Sequence, residues 1–399
     1  MKTPVAVNPS NRFRELTKDI NSLTSFLGVD VMAPILQFNY RTWTTTFAIV
    51  SYTAFAVFSI VNNGGGLVES LKASSMIGGL FHGLGKFLTC LLKQQDMRNL
   101  TLFTRSIYEA YEKRGTLYRS ALNSNIDKLL GFIRVIRNGY FITFSIIIFL
   151  PLARLMYDGT RVTATQTVIP GFPLESNFGY TVTFLVNLIS LVVTVVGFYA
   201  GDLFVFLGLT QILTFADLLQ LKVDELNESL EEKAKLREML PVGFQIRGEE
   251  ERHHLLLEVI KWHQLFTDYC RTVNAIYYEL IATQVLTMAI SVMIGFSINL
   301  SGFNLSVAIF CVISAYSMSI YCILGTKLEF GYDQVYETIC NVNWYELSAG
   351  QRKLFGLTLR ESQHPPTIVI LGVMSLSVKT ALQIVKLIYS ASMMMMNRS

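Results

Sequence analysis

The sequence predicts an all-α membrane protein, a bundle of seven transmembrane helices with a cytoplasmic N-terminus and an extracellular C-terminus. Hydrophobic residues make up 51% of the 399 residues and charged residues only 16%. Charges disappear over stretches of about 20 residues, the length of a helix that crosses a bilayer. Lys and Arg return mainly in alternate loops, which sets the orientation.

Seven apolar stretches are long enough to span the hydrocarbon layer, which is about 30 Å thick. The second contains several glycines together with His82 and Lys86, and we retain it because glycine is common where membrane helices pack closely. The predicted spans are Thr42–Val61, Leu71–Leu92, Leu130–Leu152, Tyr180–Phe206, Thr272–Phe296, Leu305–Gly325 and Thr367–Met396.

The basic residues of the loops predict that the N-terminus is cytoplasmic. The N-terminal tail holds five Lys or Arg residues, and the second, fourth and sixth loops hold seven (Lys93 to Lys128), seven (Lys222 to Lys261) and four (Lys327 to Arg360). The other loops and the C-terminal tail hold three in total. Loops rich in Lys and Arg stay on the cytoplasmic side. The polar first 40 residues lack an apolar core, so we expect no cleavable signal peptide.

Two spans are predicted to continue beyond the membrane as helices. Ala216–Leu240 and Glu249–Thr267 place Leu among charged residues at helical spacing, with a break at Pro241 and Gly243. A third amphipathic segment, Trp344–Arg360, precedes two prolines. Such faces are expected to pack together, within one chain or between chains.

These features divide the chain into four regions. Residues 1–41 form a cytoplasmic N-terminal segment, and residues 42–325 form a six-helix bundle that holds a ligand pocket. Residues 326–366 form a cytoplasmic anchor, and residues 367–399 form the seventh helix with a short extracellular tail.

One face of the seventh span is polar over its whole length. Five side chains fall within an arc of about 80° on a helix, and the stripe continues to the outer end. A polar stripe in a membrane helix faces water or protein, so the pattern predicts a pore lining that an apolar side chain near Met393 closes. Alternatively, the lysines extend toward the interface and Gln383 bonds a neighbouring helix. The stripe residues are Ser375, Lys379, Gln383, Lys386, Ser390, Met393 and Asn397.

The outer halves of spans two to six carry apolar and aromatic side chains typical of a small-molecule pocket. Ordinary helix packing uses the same residue types, so both interpretations stay open for each residue. The third loop, Ala153–Gly179, is long enough to cover such a pocket as a lid. The candidate ligand-binding residues are Met76, Leu80, Phe81, Tyr140, Phe144, Ile148, Phe184, Leu188, Met288 and Phe310.

Ionisable side chains within the spans are too few for a proton-coupled transporter, which normally has more carboxylates at mid-depth. We expect Asp202 and Glu279 to pair with a neighbouring Lys or Arg. The charges within the first six spans include Lys86, Arg134, Arg137, Asp202 and Glu279.

Other functional classes lack support in the sequence. The net charge of +4 is too small to indicate nucleic-acid binding. Glu249–His254 is better explained as a solvated helix start than as a metal site, because adjacent histidines point to different faces. We find no catalytic grouping and therefore predict no enzyme activity, metal or cofactor.

The C-terminal fifth resembles the insect odorant receptor family. The length, the seven spans and the inverted topology agree over the whole chain, but outside this fifth the likeness is only architectural. The resemblance is carried by Trp344, Leu347, Arg352-Lys353, Leu359-Arg360, Ser362-Gln363, Pro365, Gly372, Leu376, Lys386 and Tyr389-Ser390.

This resemblance implies an odorant-binding subunit of a ligand-gated, non-selective cation channel that opens on binding a small volatile organic molecule. It implies a heterotetramer with the odorant receptor co-receptor in the plasma membrane of sensory neuron dendrites. The seventh helix would line the pore for permeating cations, with Met393 at the gate. The chain lacks the co-receptor's long insertion in the second inner loop, so it resembles a tuning subunit.

Two alternatives remain from the sequence. A gustatory-type channel shares the inverted fold and works as a homotetramer. A metabotropic seven-helix receptor requires the opposite topology, with the N-terminus outside.

Overall fold

The computed structural model describes residues 8–62, 81–161, 163, 167, 169–239, 249–366, 369–370 and 374–396. These residues form a predominantly helical bundle, as predicted. The elements in chain order are α1 (Pro9–Phe26), α2 (Tyr40–Asn62), the described part of α3 (Phe81–Leu92), α4 (Gln94–Tyr111), α5 (Thr116–Asp158), α6 (Asn177–Met239), α7 (Glu249–Ser301), α8 (Leu305–Cys340), a 3-10 turn (Trp344–Glu346), α9 (Ala349–Ser362), β1 (Val369–Ile370), β2 (Met374–Ser375) and α10 (Val378–Met396).

Four helices among the described residues are long and apolar enough to cross a membrane. They correspond to predicted spans three to six and cover Thr116–Asp158, Asn177–Lys235, Glu249–Leu300 and Val307–Glu346. The first predicted span falls on α2, the described part of the second on α3, and the helical part of the seventh on α10. Each predicted span that the structure describes therefore contains a helix.

Helix α6 is the centre of the bundle. Its side chains are buried almost without interruption from Ala200 to Leu219, as expected of a helix that is apolar on all sides. It packs against α5, α7 and α8. Helix α7 donates three hydrogen bonds to α6 carbonyl groups, from Trp262 Nε1 (2.9 Å), the Tyr269 hydroxyl (3.0 Å) and the Tyr277 hydroxyl (3.2 Å).

At one end of the bundle, which we call the basic end, α1, α4 and α9 pack around extensions of α5 to α8. Arg12 of α1 forms an ion pair with Asp127 of α5. The Asn227 side chain of α6 donates to the Asn341 carbonyl and accepts from the Asn343 backbone N–H, each at 2.9 Å. These contacts join the end of α6 to the link between α8 and α9.

The predicted helical extensions are confirmed. Helix α6 runs without interruption to Met239, and α7 begins at Glu249. The break predicted at Pro241 and Gly243 lies outside the described residues. The predicted amphipathic segment from Trp344 is split, because Ser348 and Gln351 form a capping box that starts α9 at Ala349.

The third loop is shorter than predicted. Helix α5 continues to Asp158 and ends at Gly159, whose φ of +65° lies in the left-handed region that suits a glycine cap. Helix α6 then begins at Asn177. The covalent link between the two helices is therefore residues 159–176 rather than Ala153–Gly179.

The seventh span was predicted to be helical from Thr367, but the first of its residues that the structure describes are extended. Val369–Ile370 pairs antiparallel with Met374–Ser375, and β-branched residues favour such extended backbone. Helix α10 begins at Val378, where the Ser377 hydroxyl accepts a hydrogen bond from the Thr380 backbone N–H at 3.4 Å. Ser375 therefore lies on β2 and not on the helix that carries the rest of the polar stripe.

Candidate functional site

One face of α10 packs against the bundle. Ser377, Thr380, Ile388 and Ser392 are buried, and α10 contacts α7 and α8. The Ser297 hydroxyl of α7 donates a hydrogen bond to the Ser392 hydroxyl at 3.0 Å. This face fixes the rotation of α10 about its own axis.

The predicted polar stripe lies on the side of α10 that faces away from the bundle. Lys379, Gln383, Lys386 and Ser390 are all exposed. At about 100° per residue, this stripe is roughly opposite the packed face. Met393 continues it and is half-buried, whereas Asn397 lies outside the described residues.

Apolar side chains flank the stripe on both sides. Val378, Leu382 and Val385 are exposed on one flank, and Leu387 and Met394 on the other. Ala381, Ile384 and Ile388 lie instead on the face of α10 that packs against the bundle. The two flanks remain available to other molecules.

The predicted ligand-binding residues differ in burial. Met288 is buried, six others are half-buried, and Phe81 is more than half exposed at 57%. Met76 and Leu80 lie outside the described residues. Phe184 stacks with Tyr180 at a centroid distance of 6.1 Å. The half-buried set is Tyr140, Phe144, Ile148, Phe184, Leu188 and Phe310.

Tyr140 belongs to a buried polar cluster that joins four helices. The Lys86 ammonium of α3 lies 2.5 Å from the Asp202 carboxylate of α6. The hydroxyls of Tyr140 on α5 and Tyr321 on α8 donate to the same carboxylate. The predicted pairing of Asp202 is thereby confirmed, as is that of Glu279, which lies 3.3 Å from Lys93.

A cavity that the sequence did not reveal lies between α2, α3, α6 and the turn after α1. It encloses about 710 Å³, including the space at its opening. None of the eight predicted ligand-binding residues that the structure describes lines it. Gly83, Gly197 and Gly201 lie in its wall. The presence of glycines at similar depths in the second and fourth predicted spans was the sequence pattern that could have indicated the cavity.

A second charged network, at the basic end, holds α6 and α7 to the segment between α4 and α5. Glu258 accepts from Lys222 at 3.0 Å and from Arg114 at 2.6 Å, and Arg114 also pairs with Glu225. Burial lowers the pKa of Lys222. Burial alone would raise the pKa of Glu258, but hydrogen bonds from Lys222 and Arg114 hold that pKa below its ordinary value.

The link between α5 and α6 folds back onto the far end of the bundle, opposite the basic end. The Thr167 hydroxyl donates to the buried Asn187 side chain of α6 at 2.8 Å, and Ile169 is buried. Arg161 donates to the Leu174 carbonyl at 3.1 Å. This geometry suits the predicted lid.

A family model described as "7tm Odorant receptor" matches residues 66–389. The Drosophila melanogaster protein named "Putative odorant receptor 83c" is 68% identical over 392 residues, which cover 98% of this chain and 99% of that protein.

Two solved structures share the fold. The insect olfactory receptor OR5 from Machilis hrabei in complex with eugenol has a TM-score of 0.73 at 11% identity, and another structure of that receptor has a TM-score of 0.67 at 10% identity. In both comparisons the match covers 97% of this chain and 100% of the other.

Proposed function

Because this chain belongs to the seven-helix odorant receptor family, we propose that it is the odorant-binding subunit of a ligand-gated, non-selective cation channel. The family consists of membrane receptors rather than enzymes. The channel mechanism goes beyond family membership, and the geometry of α10 supports it.

The observation that carries the proposal is the position of the polar stripe on α10. Lys379, Gln383, Lys386 and Ser390 point away from the bundle, although their helix lies in a predicted span. Lipid is a poor environment for this face. A central axis surrounded by several subunits would place the stripe in water and the flanks against adjacent chains.

The assembly that we propose is a heterotetramer with the odorant receptor co-receptor. The apolar flanks of α10 provide one contact surface, and the basic end provides another, where Phe330, Trp344 and Leu357 are exposed. Lysines repel cations, so their presence in the pore is easier to reconcile with a channel in which only some subunits carry them. Met393 would lie at the gate.

In the proposed topology the basic end faces the cytoplasm and the receptor lies in the plasma membrane of a sensory neuron dendrite. The Lys and Arg distribution supports this orientation. The far end, where the link between α5 and α6 folds onto Asn187, then faces outward and receives the odorant.

Ligand binding is proposed to occur in the outer bundle, at the candidate residues that include Phe144, Phe184 and Met288. Machilis OR5, which has a similar fold, was solved in complex with eugenol. Apolar burial would supply most of the affinity, at about 25 cal/mol per Å². The ligand opens the pore only to the extent that it binds the open packing more tightly than the closed one.

An odour-panel recording tests the proposal. The chain is expressed with and without the co-receptor, surface delivery is verified with an epitope tag, and eugenol is one member of the panel. We expect odour-evoked cation current only with the co-receptor. Current from this chain alone would indicate a homomeric channel. A response that needs G-protein signalling, or an N-terminal tag accessible on intact cells, would contradict the channel proposal.

A further inference from the structure

We propose that the cavity between α2, α3 and α6 binds a hydrocarbon chain of a membrane lipid from the cytoplasmic leaflet. This site is distinct from the predicted odorant pocket, since the eight candidate ligand-binding residues within the described part of the chain do not line it. The assignment to that leaflet rests on the topology proposed above, whereas the occupancy itself does not.

The walls of the cavity are mainly apolar. Helix α2 contributes Ala48 and Ile49, α3 contributes Leu84 and Phe87, and α6 contributes Val193. An apolar space of this kind does not retain water well, so an apolar occupant is favoured.

Four polar side chains of the wall have partners within the protein. The hydroxyls of Thr24, Thr45 and Thr194 donate to the backbone carbonyls of Asn21, Leu27 and Ser190 at distances of 2.8 to 3.0 Å. The Lys86 ammonium is held by Asp202 and by the Phe198 carbonyl. These groups favour an alkyl chain over a ligand that brings an alcohol or carbonyl, because a polar group would lose its hydrogen bonds to water on entry.

The position of the cavity points to lipid as the source of that chain. Leu27 and Val29, in the turn that joins α1 to α2, line one end. On the helices that form the cavity, Val50, Leu88 and Ile189 are adjacent to lining residues and are exposed. The cavity therefore lies beside a surface suited to hydrocarbon, near the end of the span that carries the basic segments.

A photolabelling experiment tests the occupancy. The full chain is purified with the co-receptor in phosphatidylcholine nanodiscs that contain a small fraction of phosphatidylcholine with a diazirine in its acyl chain. After irradiation, mass spectrometry of peptides locates the adducts. We expect adducts at the lining positions Ala48, Ile49, Tyr52, Val193, Gly197 and Phe198. We also expect Ala48→Trp, which fills the cavity, to lose them.

Lipid-facing positions elsewhere provide the control. Phe141 and Phe149 of α5 are exposed and should be labelled equally in wild type and Ala48→Trp. Thr194→Phe fills the same cavity from α6 and replaces Ala48→Trp if that variant does not assemble. Unchanged labelling of the cavity in both variants would overturn the proposal, because it would indicate contact with bulk lipid only.

A competition with eugenol separates this site from the odorant pocket. Excess eugenol should leave the cavity adducts unchanged. Their loss would show that the cavity is an odorant site and would overturn the lipid proposal. The labelling pattern is independent of current, so a silent channel would contradict the proposed function without affecting this result.

Discussion

The side chains of Lys86 and Asp202 form a salt bridge of 2.5 Å inside the bundle and are only 1% and 3% exposed. The pair joins α3 to α6, and Tyr140 and Tyr321 extend the connection to α5 and α8 through hydrogen bonds to the Asp202 carboxylate. Four helices are therefore tied to a single carboxylate at the boundary between the predicted ligand-binding bundle and its extensions.

Removal of one partner of this pair should be more damaging than removal of both. Lys86→Met leaves a buried carboxylate without its counterion, which costs about 3–5 kcal/mol. The double variant Lys86→Met with Asp202→Leu should recover much of that loss. Thermal unfolding of the purified receptor complex measures the difference, and Lys353→Met at an exposed position of α9 is the control. A double variant less stable than Lys86→Met would contradict this account.

Gly325 of α8 is predicted to tolerate no side chain. A Cβ at this position would lie 1.9 Å from the Leu376 carbonyl oxygen, so Gly325→Ala must displace the segment that leads into α10. We expect lower thermal stability and altered or lost gating. Gly356→Ala in α9 is the matched control, because its Cβ would meet nothing within 4 Å and alanine favours a helix by about 1 kcal/mol. Equal effects of the two substitutions would argue against a close approach at Gly325.

The network at the basic end should make stability depend on acid pH through Glu258. Its pKa is lowered in the folded protein, so its contribution is fully present above its unfolded pKa, about 4.3. That contribution is lost as pH falls through the folded pKa. The difference in Tm between wild type and Glu258→Gln should therefore shrink below about pH 4.3.

His254 must be separated from that effect, since it lies 3.7 Å from Glu258. The same titration in a His254→Asn background should show the same acid loss. A Tm difference that stays constant down to the lowest accessible pH would exclude Glu258 as the source.

Charge on the α10 stripe should control conduction if the stripe lines the pore. Replacing Lys386 with Gln removes a positive charge. The repulsion between that charge and a cation 4 Å away in water is about 1 kcal/mol, so the substitution should raise single-channel cation conductance by about two- to fivefold. Lys386→Glu should raise it further. Single-channel recording provides the measurement, with Lys353→Gln as the control. A conductance unaffected by both changes at Lys386 would place this side chain outside the pore.

Hydropathy and charge were sufficient to locate spans three to six, because the length of an apolar helix reflects the bilayer thickness. The helical extensions of α6 and α7 could also be predicted from the sequence, since their leucines recur at helical spacing. The orientation of the α10 stripe relative to the bundle required the structure, because periodicity shows that Lys379 and Lys386 share a face but not what that face meets.

Other features depended on contacts between distant segments. The sequence identified Asp202 as a charge that needed a partner, yet Lys86 was only one of several basic candidates. The start of α10 at Val378 depended on the cap at Ser377 and on the pairing of β1 with β2. The cavity beside Ala48 is a gap in the packing of three helices and a turn. These segments are far apart in the sequence, so no local sequence pattern predicts it.

Helix α6, with its 63 residues, is a single rod about 95 Å long. It connects the region beneath the folded-back link at the far end to the asparagine contacts at the basic end. A tilt of only about 3° at one end would displace the other by roughly 5 Å if the rod stays straight. A small tilt imposed at the far end would therefore move the basic end by several ångströms.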